Sequence, residues 1–394
     1  MTIHEEGKRE GPKAAFGAGR VLGIGADVAE WAGAGARVFI VADPNVLKYG
    51  VLQPAFDDLA AHGCVVTVVS DIVAEPKAMQ VDAVVARARQ ARADLVVGVG
   101  GGSVLDVAKL VAALAPEGAA VADYAMAANP FPTRGLPVIC VPTTAGTGSE
   151  MTRTSIFALD SGSKVWAWGD ELWPDLALLD PELTVTLPRQ LTVATGVDTL
   201  VHAVEATTNR VEVPGCDLPA MSAIGLVREY LPRVVADPND VVARGGMLRA
   251  ASLAGMAIDR AGTGVAHAMG HALGSLAGVP HGRAVALSLR ATLGWNAEAA
   301  PGSHAAVGDA FNVLRHPGTS DEAFAHALDR AFEGFLRELQ LPLDVRGDGL
   351  NEGDAERLAE AMFHPENSAM LASNCRAVAP EDALSLSRNL LTAV

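Results

Sequence analysis

The sequence predicts a doubly wound α/β domain followed by an all-helical one. Three observations carry this reading. The first half alternates short, β-branched apolar runs with stretches of 3.6-residue periodicity. The second half shows helical stretches and no convincing strand. The composition is rich in Ala, Val, Gly and Leu but only 5% aromatic, which suits helix-on-sheet and helix-on-helix layers better than a β-sandwich.

The elements follow in order. RVFIVAD (37–43), CVVTVVS (64–70), DLVVGVG (94–100) and LPVICVP (136–142) read as strands, because each is nearly continuous in apolarity and ends in Gly, Pro, Asp or Ser. Residues 51–62, 77–92 and 103–115 carry helical periodicity between them. SIFAL (155–159) and DLALLD (175–180) are two further strands. After PELTVTLP (181–188) only helical stretches follow, punctuated at Val213-Pro214-Gly215, Asp237-Pro238-Asn239 and Leu341-Pro342. The 394 residues therefore divide near 188 into an α/β domain, 1–188, and a helical domain, 189–394.

Composition excludes several function classes. With half its residues apolar and 19% charged, the chain is not a disordered one. Its net charge of −16 and lack of a basic run oppose nucleic-acid binding. Four cysteines without CxxC spacing signal neither a thiolate zinc site nor a redox dithiol and fit a reducing compartment. The N-terminus, MTIHEEGKRE, lacks the apolar core of a signal peptide, and no 18-residue apolar run is present. A soluble cytoplasmic protein without a membrane partner is expected.

Two polar turns follow predicted strands. GVGGGSVLDVAK (98–109) leaves a strand and opens a helix, where glycines admit a phosphate to the backbone and the helix start offers N–H groups. A tight strand-to-helix turn would use the same glycines. Asp43 closes the 37–43 strand, where a carboxylate accepts from both ribose hydroxyls of an adenosine and repels a 2′-phosphate, favouring NAD over NADP. A turn-forming Asp before Pro44 is the alternative. PTTAGTGSE (142–150) is poor core and good ligand lining, or an ordinary Ser/Thr turn.

The second half holds a metal-like constellation. Asp198 and His202 are four apart, as are His267 and His271, so each pair shares one helix face. His281 follows in VPHG (279–282). A carboxylate with imidazoles suits ferrous iron or zinc, whereas calcium would want more oxygens. Four histidines exceed the need of one site with an open position, so one of them serves elsewhere.

These motifs, with FGAG (16–19) and LLDPELTVTLP (178–188), resemble in order those of the iron-containing (group III) alcohol dehydrogenases over nearly the whole chain. The resemblance implies a Rossmann-like dinucleotide-binding domain plus an all-α domain, the dehydroquinate synthase-like fold, with the active site in the cleft between. It places the metal ligands at Asp198, His202, His267 and His281, and the remaining His271 beside nicotinamide and substrate as the candidate catalytic proton carrier. It places cofactor contacts at Asp43, at Gly101, Gly102 and Ser103, and at Asp106, Thr143, Thr144, Thr147, Ser149 and Lys164. Three departures stand out: Ser288-Leu289-Arg290 in place of Leu-Pro-His, Asn374-Cys375-Arg376 in place of Asn-Pro-Arg, and the bulky Trp166-Ala167-Trp168.

The resemblance implies reversible hydride transfer between a carbinol carbon and nicotinamide C4, with NAD and Fe2+ or Zn2+, on a small alcohol or carbonyl substrate, in a homodimer or larger homo-oligomer. Alternatives within the superfamily are a maleylacetate reductase-type reductase, which typically lacks the aspartate ligand, and a dehydroquinate synthase-like NAD/metal lyase, which usually pairs Glu with two His. A non-catalytic NAD-binding protein is a further alternative, opposed by the intact ligand positions. Arg153, Arg290 and Arg376 are candidates for an anionic substrate group, and Trp166, Trp168 and Trp173 for either packed core or a pocket wall.

Overall fold

The computed structural model describes residues 11–72, 74–131, 135–210 and 215–392. The segment MTIHEEGKRE and the Val213-Pro214 punctuation lie outside them. Two compact units are present, one drawn from Met1–Thr143 with Ser149–Leu183, the other from Thr144–Gly148 with Thr184–Val394.

The first unit is built on β1 (Lys13–Phe16), β2 (Arg37–Ala42), β3 (Val65–Val69), β4 (Leu95–Gly100), β5 (Val138–Pro142), β6 (Thr154–Ala158), β7 (Lys164–Trp168) and β8 (Leu176–Leu179). Six of these form one sheet in the order β1-β8-β5-β4-β2-β3. Every neighbouring pair in it is parallel. β6 and β7 form an antiparallel hairpin. The helices are α1 (Ile24–Ala32), α2 (Pro44–Lys48), α3 (Gln53–Ala61), α4 (Ala78–Gln90) and α5 (Gly102–Leu114). The six strand runs and three helical stretches expected from sequence are all present; β1, β7, α1 and α2 were not foreseen.

Near-continuous apolarity in the central strands has a direct cause, since successive side chains point to opposite faces and both faces are covered. Phe39 and Val41 of β2, Val96 of β4 and Val138 and Cys140 of β5 pack with α4, α5 and the hairpin. Their alternates, Val38, Ile40, Val97, Val99, Ile139 and Val141, pack with α1 and α3. The chain passes from β2 outward to β3, then returns to lay β4 on the opposite side of β2. The crossovers thus change direction between β2 and β4, and their carboxyl ends flank the crevice where such sheets take ligands.

Helix α5 lies unusually close to β4. A Cβ on Gly98 would stand 2.7 Å from the Ala108 Cβ, and one on Gly100 would stand 2.7 Å from that of Val104. The glycines before the turn are therefore required by helix packing, whatever the turn binds.

The second unit contains α6 (Arg189–Thr208), α7 (Asp217–Ala236), α8 (Val241–Ala261), α9 (Val265–Ala277) and α10 (His281–Ala299). It continues through α11 (Pro301–Ala310), α12 (Asp321–Glu338), α13 (Ala355–Met362), α14 (Ser368–Ser373) and α15 (Pro380–Thr392). No strand occurs in it among the described residues. Its core joins Leu200 and Val204 of α6, Val227 of α7, Leu248 of α8, Met269 of α9, Leu287 of α10 and Phe332 of α12. Among the described residues, helix α8 alone has the length and apolarity of a membrane span, and most of it is buried. The short 144–148 segment docks by backbone: Gly148, at φ +62°, and Gly255 of α8 face each other so closely that a Cβ on either would fall 2.4–2.5 Å from a carbonyl oxygen of the opposing segment.

One polar contact in this core carries a measurable cost. Asp329 of α12 reaches a notch at Gly294 of α10, where its Oδ1 accepts the Gly294 N–H at 2.7 Å. Burial pushes the Asp329 carboxyl up to about 6, only partly offset by that bond and by His326 and Arg330. A carboxyl raised in the folded state above its ordinary value stabilises the fold only while protonated, so stability is lost as pH rises from about 4 through 6. We expect Asp329→Asn, which keeps the acceptor, to gain up to about 3 kcal/mol at pH 8 and almost nothing at pH 4. Thermal unfolding of metal-stripped protein at both pH values checks this, and an equal gain at both would exclude the carboxyl as the cause.

Candidate functional site

At the carboxyl edge of the sheet, three turns are tied side by side. The Asp43 N–H donates to Val99 O at 2.9 Å, and the Thr143 N–H to Gly100 O at 2.9 Å. The ends of β2, β4 and β5 are thereby adjacent, with Gly101, Gly102 and Ser103 opening α5 between them. The first N–H groups of a helix have no acceptor within it, and they carry its positive end. Asp43 is the N-cap of α2, its Oδ1 accepting from Asn45 N at 2.7 Å. The turn role anticipated for this residue is thus real.

Asp106 and Ser149 meet each other. The Ser149 hydroxyl donates to Asp106 Oδ1 at 2.5 Å, and the Ile156 N–H to Oδ2 at 3.0 Å. Lys109, fully buried one turn on, has its Nζ 3.4 Å from the same carboxylate. It donates to Ser149 O, Thr152 O and Thr154 O at 3.0, 3.2 and 2.5 Å. This network fastens the segment after the PTT turn to α5. Lys164 of β7 pairs with Glu75 at 3.4 Å. Thr144 and Thr147 belong with the helical unit. There Thr199 of α6 donates to Ala145 O and Gly146 O, each at 3.2 Å.

The three arginines and the tryptophan group find partners within the fold. The Arg153 guanidinium lies 4.6 Å from the Trp168 ring and 5.2 Å from that of Trp173, and it pairs with Asp170 at 2.9 Å. Trp168, at 42% exposure, is the open member of this stack, while Trp166 is half-buried. Arg290 is buried 3.7 Å from Glu333. Arg376 lies 3.8 Å over the Trp295 ring and donates to Trp295 O at 3.1 Å.

In the helical unit, the sequence spacing resolves into a cluster. Asp198 and His202 sit one turn apart on buried α6, His267 and His271 on α9, and His281 at the start of α10. The Nε2 atoms of His202, His267 and His281 lie 3.8, 3.8 and 3.7 Å from the single oxygen Asp198 Oδ1. Asp198, His267 and His281 form a set of donors within 4.8 Å of one another. His271 stands beside this group, its ring centroid 5.5 Å from that of His281 and 6.3 Å from that of His267.

The chemistry of the donors decides what they fit. Asp198 Oδ1 is buried and accepts no hydrogen bond, and 3.7–3.8 Å is beyond hydrogen-bond reach of an imidazole nitrogen. Burial holds His202 below its ordinary pKa, opposed by the Asp198 charge and reinforced by His267, which favours the neutral ring. A buried carboxylate oxygen ringed by imidazole nitrogens is costly alone. It is close to the ligand–ligand spacing of about 3.4 Å around a tetrahedral ion with bonds near 2.1 Å. The residues present fit a divalent transition metal.

Glu205 was not anticipated. It lies one helical turn beyond His202, with Oε2 at 2.5 Å from His267 Nδ1. Burial acts to raise its carboxyl, but the contact with His267 and the N–H groups of Gly264 and Ala266 outweigh this and hold it below the ordinary glutamate value. The signal was available as an acid at i+7 from Asp198 on the same face.

Comparison with known proteins agrees with this arrangement. Residues 11–181 match the profile of the family described as iron-containing alcohol dehydrogenase, and residues 192–391 that of its C-terminal part. The chain is 36% identical over 328 residues to long-chain-alcohol dehydrogenase 1 of Geobacillus thermodenitrificans, covering 82% of each sequence. Among solved structures it is similar to a 1,3-propanediol oxidoreductase, with a TM-score of 0.87, 30% identity, and coverage of 96% of this chain and 98% of that one. It is also similar to the sulfoacetaldehyde reductase of Bifidobacterium kashiwanohense in complex with NAD+, with a TM-score of 0.86, 28% identity and 98% of both chains covered.

The donor set yields a direct test. Asp198→Asn removes the carboxylate charge from this donor set, and we expect its metal content after reconstitution and desalting to fall to less than about a tenth of wild type. Elemental analysis checks this; a full equivalent of retained metal would exclude Asp198 from the centre.

Proposed function

The chain belongs to the iron-containing alcohol dehydrogenase family, an oxidoreductase acting on CH–OH groups, and we propose that it transfers hydride between the carbinol carbon of a small alcohol or carbonyl substrate and NAD. The observation that supports this most is the buried Asp198 Oδ1 with three imidazole Nε2 atoms at 3.7–3.8 Å. Asp198, His202, His267 and His281 would hold Fe2+ or Zn2+, both of which accept this ligand set. When bound, the metal supplies Lewis acidity to the substrate oxygen and NAD accepts the hydride.

The chain's own groups do the rest. The first-turn N–H groups of Gly101, Gly102 and Ser103 bind the pyrophosphate, and Asp43 orients the adenosine ribose and disfavours a 2′-phosphate. Asp106, Ser149 and Lys109 hold the neighbouring turns in place from beneath, with Thr143, Thr144, Thr147 and Lys164 completing the cofactor contacts. His271, beside the ligand group, carries the proton released from the substrate hydroxyl. We place the domain boundary near residue 188, the compartment in the cytoplasm, and the working form as a homo-oligomer.

One coupled assay tests the reading: NAD reduction with primary alcohols, diols and hydroxy acids, on metal-stripped protein and after Fe2+ or Zn2+ addition. We expect turnover only with metal, and preference for NAD over NADP. His271→Ala should lower kcat at least about tenfold with metal content unchanged and alter the pH profile. Full activity without metal would overturn this in favour of a metal-independent reductase, and metal-dependent chemistry without net NADH would favour the lyase.

A further inference from the structure

Helix α9 has a polar start buried among apolar neighbours, and its first N–H groups are shared between two acceptors. Asn374 Oδ1 takes the Val265 N–H at 3.3 Å, and Asn374 is itself held by a reciprocal amide pair with Asn296 at 2.9 and 3.1 Å. Glu205 Oε1 takes the Ala266 N–H at 2.8 Å and the His267 N–H at 3.3 Å. A cap needs only that one oxygen. The second, Oε2, is directed to His267 Nδ1 at 2.5 Å. Glu205 is 4% exposed, so neither oxygen turns to water.

We propose that Glu205 is a positioning residue for the metal centre: it holds the Nδ1 proton of His267, fixes that ring, and presents His267 Nε2 as a lone pair toward Asp198. An imidazole carries one proton when neutral, so a carboxylate accepting from Nδ1 leaves Nε2 unprotonated. That nitrogen lies 3.8 Å from Asp198 Oδ1. The parallel ring of His202, with centroids 4.6 Å apart, blocks rotation from one side. Glu205 thus acts on two helices at once, since it rides on α6 with Asp198 and His202 and clamps the start of α9, which carries His267. The inference rests on the metal-binding reading of the cluster.

The test compares wild type, Glu205→Gln and Glu205→Ala. Zn2+ affinity is measured by chelator competition on the full chain, and thermal unfolding on the metal-stripped forms. The His267 tautomer in metal-stripped wild type is read from ring 15N shifts. We expect Glu205→Gln to bind Zn2+ about 10–100-fold more weakly, to lose less apo stability than Glu205→Ala because it keeps one capping oxygen, and wild-type His267 to carry its proton on Nδ1. Zn2+ binding by Glu205→Gln within twofold of wild type would reduce Glu205 to a helix cap and overturn the proposal, as would an Nε2–H tautomer. The tautomer measurement needs no variant, so it decides the matter even if both substitutions fail to fold. Wild type that binds neither Zn2+ nor Fe2+ would overturn the functional reading instead, and is established before the variants are compared.

Discussion

Asp198 Oδ1 is the constraint around which the helical unit is arranged. It is a buried anionic oxygen with no hydrogen bond of its own, set among three imidazole nitrogens just beyond bonding distance. In a low-dielectric interior such an atom is tolerated only if a cation answers it. Three helices must therefore converge with ångström precision: α6 for the carboxylate and His202, α9 for His267, and the first residue of α10 for His281. Glycines permit that convergence: a Cβ on Gly270 of α9 would fall 2.7 Å from Val285 Cγ1 of α10, and one on Gly282 of α10 would fall 2.3 Å from Ala194 O of α6.

The α/β unit answers a different requirement. Its sheet is covered on both faces, so specificity of position comes from the crossovers rather than from alternation of polar and apolar residues. The reversal of direction between β2 and β4 brings Asp43, the Gly101–Ser103 turn and Thr143 to one edge. The glycines of GVGGGS serve two demands at once. Gly98 and Gly100 admit α5 against β4, and that close packing is what brings the start of α5 to the edge of the sheet. A motif read for its ligand thus owes part of its composition to packing.

Much of this was legible in the sequence. The buried central strands announce themselves by unbroken β-branched runs, and Asp198, His202, His267 and His271 by i,i+4 spacing on helices. What escaped did so for physical reasons. β1 is four residues at a sheet edge, mostly exposed, with too little apolar content to set a period. β7 alternates as KVWAW, but its tryptophans read equally as a pocket wall. Arg153 lies over both Trp168 and Trp173, which no local pattern reveals because it comes from just before β6, at the start of the hairpin region, rather than from their own stretch. Glu205 was hidden differently: it is one more acid in a helix, given meaning only by what stands opposite.

The alternation of the central strands with helices α3, α4 and α5, the Asp and His residue types of the cluster and the glycines of the turn were legible in the sequence alone, since each depends on residue type and short-range spacing. Tertiary structure decided which partners those residues keep. Asp106 and Ser149 bond each other, Asp43 caps a short helix, and Arg376 stacks on Trp295. Above all, Glu205 of α6 and His267 of α9, 62 positions apart, meet with Oε2 2.5 Å from Nδ1. Hydrogen bonds act over a few ångströms and are blind to distance along the chain, so only folding could say which acid meets which imidazole.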